Sequence, residues 1–213
     1  LALPHQMILI VGEPGMGKST EMCKIAHMIK QKDSSTWVIR VDLKKHTNLL
    51  SQNQIAAMEF LEEVATMDTE FQKQLFEHQL ESSGNIVILV DGFDEMNPNY
   101  SREAFHLLTE FCNSKVRKII ITSRPVMIKE LQEKLSVLAF SFEAFTYENK
   151  KIFLASYWNQ TDKKSLNLSN FICSLLKLVA TSFNNKLKDF TGIPLQCNMM
   201  AEIFQDEALH CCQ

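Results

Sequence analysis

The sequence predicts an α/β fold, in which helices cover a parallel sheet and an all-helical segment follows. Three short, largely apolar runs are typical of strands buried on both faces; they are Met7–Val11, Ile86–Asp91 and Lys118–Thr122. Between these runs, apolar residues recur at helical spacing. From Glu143 onward only helical spacing remains. We therefore expect an α/β domain over residues 1–142 and a helical domain over residues 143–213.

The remaining elements follow from the same two periodicities. Alternating and continuous apolar residues predict a second and a fifth strand, at Trp37–Leu43 and Leu138–Phe142. The apolar stripe of the first helix comprises Met22, Ile25, Ala26 and Ile29. Further helices are expected over Asn53–Ala65, Thr69–Leu80, Ala104–Phe111, Tyr147–Trp158, Ile172–Val179 and Met199–Phe204.

A glycine pattern follows the first strand directly. Residues 12–19 read G-E-P-G-M-G-K-S, which fits the phosphate-binding pattern G-x-x-x-x-G-K-[ST]. Such glycines let the backbone curl so that successive N–H groups point at a phosphate chain. Lys18 would reach the β and γ phosphates, and the Ser19 hydroxyl would coordinate Mg²⁺. A chance turn is the alternative, but the order of strand, loop and amphipathic helix favours a nucleotide site.

The third strand ends in a carboxylate and is followed by two more. Asp91 occupies the position at which open α/β sheets bind ligands, and Asp94 and Glu95 follow within one turn of chain. The functional interpretation places Asp91 on a metal and lets Glu95 polarise the attacking water, with Asp94 as its helper. The alternative is that these acidic residues lie at the N-terminus of a helix, where the helix dipole favours negative charge. The glycine loop upstream favours the functional interpretation.

Two further motifs combine proline with a polar or glycine neighbour. Ser123, Arg124 and Pro125 follow the fourth strand, and the planar fork of Arg124 suits a γ-phosphate. An ordinary surface arginine before a turn is the alternative. In the helical segment, Gly192 is followed two residues later by Pro194, which would also serve as an ordinary first residue of a helix.

Composition excludes several classes of protein. A net charge of −3 and a pI near 6.1 give no support for a nucleic-acid surface. The sequence contains no apolar run of membrane-spanning length and no signal peptide. The six cysteines lack C-x-x-C spacing, which argues against a disulfide framework or a zinc site. We expect a cytoplasmic protein that contacts neither nucleic acid nor membrane. Because the chain begins at Leu1, we also expect a piece of something larger.

Taken together, the motifs resemble the NACHT domain, a branch of the STAND class of P-loop NTPases found in NOD-like receptors. The resemblance rests on G-E-P-G-M-G-K-S-T, I-L-V-D-G-F-D-E, I-T-S-R-P and G-I-P-L, in that order, and extends from Ile8 to Phe204. It implies a three-layer P-loop NTPase with strand order 5-1-4-3-2, followed by a truncated first helical domain.

The resemblance also implies roles for individual residues. The nucleotide phosphates would be wrapped by Gly12, Glu13, Pro14, Gly15, Met16, Gly17, Lys18, Ser19 and Thr20. Asp91 and Ser19 would hold Mg²⁺, while Asp94 and Glu95 would serve the water. Arg124 would sense the γ-phosphate, and Pro194 would touch the base or ribose of bound ADP.

The implied function is an ATP/ADP-dependent molecular switch with slow, Mg²⁺-dependent hydrolysis. ADP would hold a larger innate-immune or signalling receptor closed, and exchange for ATP would let protomers of that receptor assemble. The alternative is a metabolic P-loop kinase or ATPase acting on a small molecule. It would need an arginine-rich lid, whereas the chain after Pro125 offers apolar helices. A scaffold without hydrolysis is a third possibility, against which the intact Lys18, Ser19, Asp91 and Glu95 argue.

Overall fold

The computed structural model describes residues 5–51, 55–82, 84–158, 166–182 and 192–211. Five strands form one sheet: β1 (Met7–Val11), β2 (Trp37–Asp42), β3 (Ile86–Asp91), β4 (Lys118–Ser123) and β5 (Leu138–Ser141). Their order is β2-β3-β4-β1-β5, and every neighbouring pair is parallel. This is the expected order 5-1-4-3-2 viewed from the other edge, so the predicted fold class is confirmed.

Three strand ends differ from the sequence prediction by one residue. β2 ends at Asp42 instead of Leu43, where its pairing with Asp91 of β3 ends. β4 continues to Ser123 because that residue still pairs with Val11 of β1. β5 ends before Phe142, although the Phe142 N–H still donates to the Val11 carbonyl at 2.9 Å.

Helices occupy most of the remaining described chain. They are α1 (Lys18–Lys32), α2 (Thr47–Leu50), α3 (Ala57–Val64), α4 (Glu70–Ser82), α5 (Ser101–Asn113), α6 (Ile128–Leu135), α7 (Tyr147–Trp158), α8 (Leu166–Ser182), α9 (Pro194–Ile203) and α10 (Gln205–His210). The short α2 was not predicted. α3 is shorter than the predicted helix, whose first residue, Asn53, lies outside the described residues. At Phe204 the backbone leaves the helical conformation, which separates α9 from α10.

Both faces of the central strands are buried, which explains why their sequences are continuously apolar. Along β3, Ile88 belongs to the larger core, which also contains Phe60 and Phe111. Its neighbour Leu89 faces the opposite side, where Met22 and the rest of the α1 stripe pack. Successive side chains of a strand point to opposite faces, so each strand contributes to both cores.

The chain separates into two compact units. The first contains the sheet and extends to Phe142, and the second contains the residues from Glu143 together with Gly15–Gly17. The second unit has its own apolar core, in which the Trp158 indole N–H donates to the Ala201 carbonyl at 2.8 Å. In the same unit, the Leu195 N–H donates to the Gly15 carbonyl at 3.2 Å.

The turn between α1 and β2 is organised by Asp33. Its carboxylate accepts hydrogen bonds from the Ser35 hydroxyl at 2.6 Å, the Thr36 hydroxyl at 3.0 Å and the Asn85 side-chain amide at 3.2 Å. These hydrogen bonds, foremost the one from the Ser35 side chain, hold the pKa of Asp33 well below its ordinary value. Since Asn85 directly precedes β3, Asp33 ties the starts of β2 and β3 together.

We expect Asp33→Ala to lower the thermal unfolding midpoint at pH 7, because four donors lose their common acceptor. A carboxylate whose pKa is lowered on folding stabilises the fold above its unfolded pKa, and that stabilisation is lost as the pH falls through the folded value. The difference between wild type and variant should therefore shrink below about pH 4. Thermal melts followed by circular dichroism at pH 7 and pH 2.5 measure the difference in unfolding midpoint, and the exposed Asp68→Ala is the control. An equal difference at both pH values would contradict this role of Asp33.

Candidate nucleotide-binding site

The glycine loop between β1 and α1 contains two residues in the left-handed region. Gly15 has φ +80° and Gly17 has φ +85°, a backbone conformation that side-chain-bearing residues rarely adopt. A Cβ on Gly17 would meet no atom within 4 Å, so the requirement there is conformational and not steric. α1 begins at the next residue, Lys18, and its first-turn N–H groups therefore lie at the end of the loop.

Lys18 lies against the loop that precedes it. Its ammonium donates to the Gly12 carbonyl at 2.7 Å and to the Glu13 carbonyl at 3.3 Å. Ser19 and Thr20, the next two residues of α1, are exposed. The loop thus offers a cation, hydroxyl groups and backbone N–H groups within a few residues, which is the donor set that phosphate groups require.

Thr122 lies near the end of β4. This strand runs between β1, which precedes the glycine loop, and β3, which ends in Asp91. The fully buried Thr122 hydroxyl donates to Asp91 Oδ1 at 2.6 Å and accepts from the Gly92 N–H at 3.0 Å. Sequence reasoning passed over Thr122 in favour of Ser123 and Arg124. The available signal was a hydroxyl residue at the end of an otherwise apolar strand that neighbours a strand ending in a carboxylate.

Asp91 has a second polar neighbour on the other side. Arg40 of β2 places Nη2 3.9 Å from Asp91 Oδ2, and its Nη1 lies 3.0 Å from the Cys23 sulfur of α1. The Asp91 side chain is 15% exposed, and Arg40 places a positive charge beside it. Arg40 escaped the sequence analysis because a single arginine in a predicted strand has no distinguishing pattern.

A tight turn follows Asp91, the last residue of β3, and contains Asp94 and Glu95. Gly92 has φ +68° and starts a 3₁₀ turn over Phe93–Glu95, which the Glu95 N–H closes on the Gly92 carbonyl at 2.9 Å. Phe93 is buried against Phe105, with 5.0 Å between ring centroids. This anchor sets the directions of the next two side chains: Asp94 is 6% exposed and Glu95 is 44% exposed.

The two carboxylates of the turn have different partners. Asp94 Oδ2 lies 2.8 Å from Arg124 Nε, and its Oδ1 accepts from the Arg124 backbone N–H at 2.8 Å and from the Ser123 hydroxyl at 3.3 Å. Glu95 lies 3.9 Å from the Lys44 ammonium, and both side chains are exposed. The three acids, which lie close together in the sequence, therefore have different partners in the fold.

The first unit thus brings together Asp91, Asp94, Glu95 and Arg124 at one edge of the sheet. In the described part of the chain, no three or more histidine, cysteine, aspartate or glutamate side chains cluster as metal ligands. Proteins hold Mg²⁺ through one or two side chains together with substrate phosphates. Ser19 and Asp91 have the oxygen chemistry for this. Pro194 lies in the first turn of α9, and its contact with a nucleotide stays a prediction.

The fold and the glycine loop define the class of the protein, a nucleotide-binding P-loop NTPase. A family model of the NACHT domain matches residues 6–161, which is more than half of the chain. The chain therefore belongs to the NACHT domain family, as its motifs predicted. A search of curated proteins finds no significant match. Among the residues described above, no helix combines the length and hydropathy that crossing a membrane requires.

Solved structures share the fold at low sequence identity. Domain III of the replication initiation protein DnaA from Thermotoga maritima has a TM-score of 0.51 and 14% identity, over 90% of this chain and 83% of that chain. Drosophila ORC bound to DNA has a TM-score of 0.53 and 16% identity, over 95% of this chain and 51% of that chain. AMPPCP-bound DnaA from Aquifex aeolicus has a TM-score of 0.51 and 16% identity, over 95% and 62%. These likenesses show the fold alone.

We expect Thr122→Val to destabilise the chain by about 1–3 kcal/mol, because it leaves the Gly92 N–H without its acceptor at a buried position. Urea denaturation measures the change in the free energy of unfolding. Thr122→Ser, which keeps the hydroxyl, serves as the control. If valine and serine cost the same, the hydrogen bonds at this position contribute nothing.

Proposed function

We propose that the chain is a nucleotide-dependent switch that binds ATP and ADP with Mg²⁺ and hydrolyses ATP slowly. The observation that carries the proposal is that β4 joins the glycine loop to the acidic strand end. The Gly12 N–H donates to the Ser123 carbonyl at 3.2 Å, and the next residue back, Thr122, donates to Asp91. A phosphate loop and a carboxylate held to one strand provide for a nucleotide and its metal together.

The phosphates would be held by the loop Gly12–Thr20, with its backbone N–H groups, the Lys18 ammonium and the first turn of α1. The oxygens of Ser19 and Asp91 would hold Mg²⁺, which when bound would neutralise charge on the phosphates. We propose Pro194 as a contact of the base or ribose. Thr122 would keep the Asp91 carboxylate oriented, and Arg40 lies beside it.

Hydrolysis needs a base that can reach water, and Glu95 suits this role best. It is the most exposed of the three carboxylates, and a pair with Lys44 at 3.9 Å between exposed groups is weak. Arg124 would contact the γ-phosphate, so it distinguishes ATP from ADP. We expect slow turnover in the isolated chain, because an arginine supplied by a second chain raises such rates by about 10³–10⁵.

The energetics indicate that Arg124 cannot drive the switch alone. Moving an equilibrium from 1:99 to 99:1 takes about 5.5 kcal/mol of differential binding. A hydrogen bond to a charged group contributes about 1.5–3 kcal/mol. The remainder would come from neighbouring protomers that assemble when ATP is bound. We propose that this assembly serves a cytoplasmic signalling or innate-immune receptor of the NOD-like type.

Lys18→Ala should abolish binding of both ATP and ADP, because it removes the cation that would contact the phosphates. Equilibrium titration with fluorescent nucleotides in Mg²⁺ buffer measures the affinities. Lys24→Ala, on the exposed side of the same helix, is the matched control. Unchanged ATP affinity in Lys18→Ala would overturn the proposed phosphate site.

Glu95→Gln should bind ATP with wild-type affinity but lose turnover, since an amide cannot take the proton of the attacking water. Single-turnover hydrolysis and a product assay test this: wild type should yield only ADP and phosphate. Exposed Glu133→Gln is the control. Turnover at the wild-type rate in Glu95→Gln would exclude Glu95 as the base. A phosphorylated small-molecule acceptor would instead indicate a kinase.

A further inference from the structure

We propose that Asp94 is a positioning residue that fixes the guanidinium of Arg124 for γ-phosphate recognition, and that it does not act on the attacking water. The inference deepens the proposed function and rests on it. It changes the role that the sequence predicted for Asp94, which was to assist Glu95. The reason is the set of partners that surround the Asp94 carboxylate.

Both carboxylate oxygens of Asp94 are already engaged at the end of β4. Oδ2 pairs with Arg124 Nε at 2.8 Å, and Oδ1 accepts from the Arg124 N–H at 2.8 Å and from the Ser123 hydroxyl at 3.3 Å. A carboxylate has about four acceptor sites, so two close donors from Arg124 and a longer contact from Ser123 leave little capacity for a reacting water. Glu95, one residue later, has no such set of donors among the residues that the structure describes.

Burial separates the two acids further. The Asp94 side chain is 6% exposed, against 44% for Glu95 and 46% for Arg124. A buried carboxylate is tolerated only when it is paired and hydrogen-bonded, which Asp94 is. Arg124 therefore extends from a buried anchor toward solvent, as a residue that meets a soluble ligand must.

The pairing leaves the rest of the guanidinium available. Arg124 contacts Asp94 through Nε and the backbone N–H, and no described contact uses either of its terminal nitrogens. Those two nitrogens carry the paired donors that recognise phosphate oxygens. An arginine held at Nε can thus bind a phosphate without breaking its contact to Asp94.

Both partners are held on rigid backbone. Arg124 has φ −80° and ψ 158°, an extended conformation that the following Pro125 favours. Asp94 lies on the 3₁₀ turn that the buried Phe93 anchors. A mobile arginine side chain loses conformational entropy when it binds a ligand. A side chain that is already fixed avoids this cost. ADP lacks the γ-phosphate, so only ATP benefits.

The test is a double-mutant cycle of Asp94→Asn and Arg124→Ala in the 213-residue chain. Asn is nearly isosteric with Asp but cannot pair with a cation. We expect Asp94→Asn to weaken ATP binding about tenfold or more and to leave ADP affinity within about twofold. In the Arg124→Ala background, the same substitution should change ATP affinity by less than about twofold, because the residue through which it acts is gone.

A nucleotide-free readout accompanies the binding data. In thermal unfolding without nucleotide, the two single substitutions should each lower the midpoint, and the double variant should lower it by less than their sum. Arg124→Lys is a second variant that keeps the charge without the fork; it should weaken ATP binding and spare ADP binding. Glu95→Gln provides the contrast, with hydrolysis lost and ATP affinity retained.

Three results would overturn the inference: additive effects of the two substitutions on ATP affinity, tighter ATP binding by Asp94→Asn, or equal weakening of ATP and ADP. If Asp94→Asn abolished hydrolysis even in the Arg124→Ala background, Asp94 would act on the attacking water, as the sequence predicted. If wild type bound neither nucleotide, the proposed function itself would fail. If wild type bound both and the cycle were additive, only the role of Asp94 would fail.

Discussion

The site depends on the carboxyl end of β4, the strand between the glycine-loop strand and the acidic strand. Its last two residues make the cross-strand contacts that define the site: the Ser123 carbonyl accepts the Gly12 N–H, and the Thr122 hydroxyl bridges Asp91 and Gly92. The register that aligns Val11 with Ser123 sets this arrangement. The proposal that the motifs at residues 12–20 and 91–95 share one ligand rests on this register.

The proposed chemistry depends on the different surroundings of the three carboxylates at and after the end of β3. All three carboxylates lie within five residues of the chain. In the fold, Arg40 lies beside Asp91, Arg124 pairs with Asp94, and Glu95 turns outward. Under the proposed function, Asp91 would hold a metal, Asp94 would hold Arg124 and Glu95 would act on a water molecule. A short 3₁₀ turn started by Gly92 makes this separation possible.

Local pattern was enough to predict the strands, the glycine loop, the sheet order through the family resemblance, and α7 to the residue. The pattern could not reveal partners that are distant in sequence. Thr122 meets Asp91 only because β3 and β4 are neighbours, and Arg40 meets it from β2. Likewise, nothing in the run D-G-F-D-E states that burial of Phe93 will direct Asp94 inward and Glu95 outward. Side-chain roles within a motif therefore required the tertiary structure.

The most direct measurement is a crystal structure of the chain with Mg²⁺ and a non-hydrolysable ATP analogue. We expect the analogue's phosphates to lie in the loop Gly12–Thr20 and the metal to be held by the Ser19 hydroxyl and the Asp91 carboxylate. We also expect the terminal nitrogens of Arg124 to contact the γ-phosphate while its Nε stays paired with Asp94. Phosphates bound elsewhere, or a metal remote from Asp91, would contradict it.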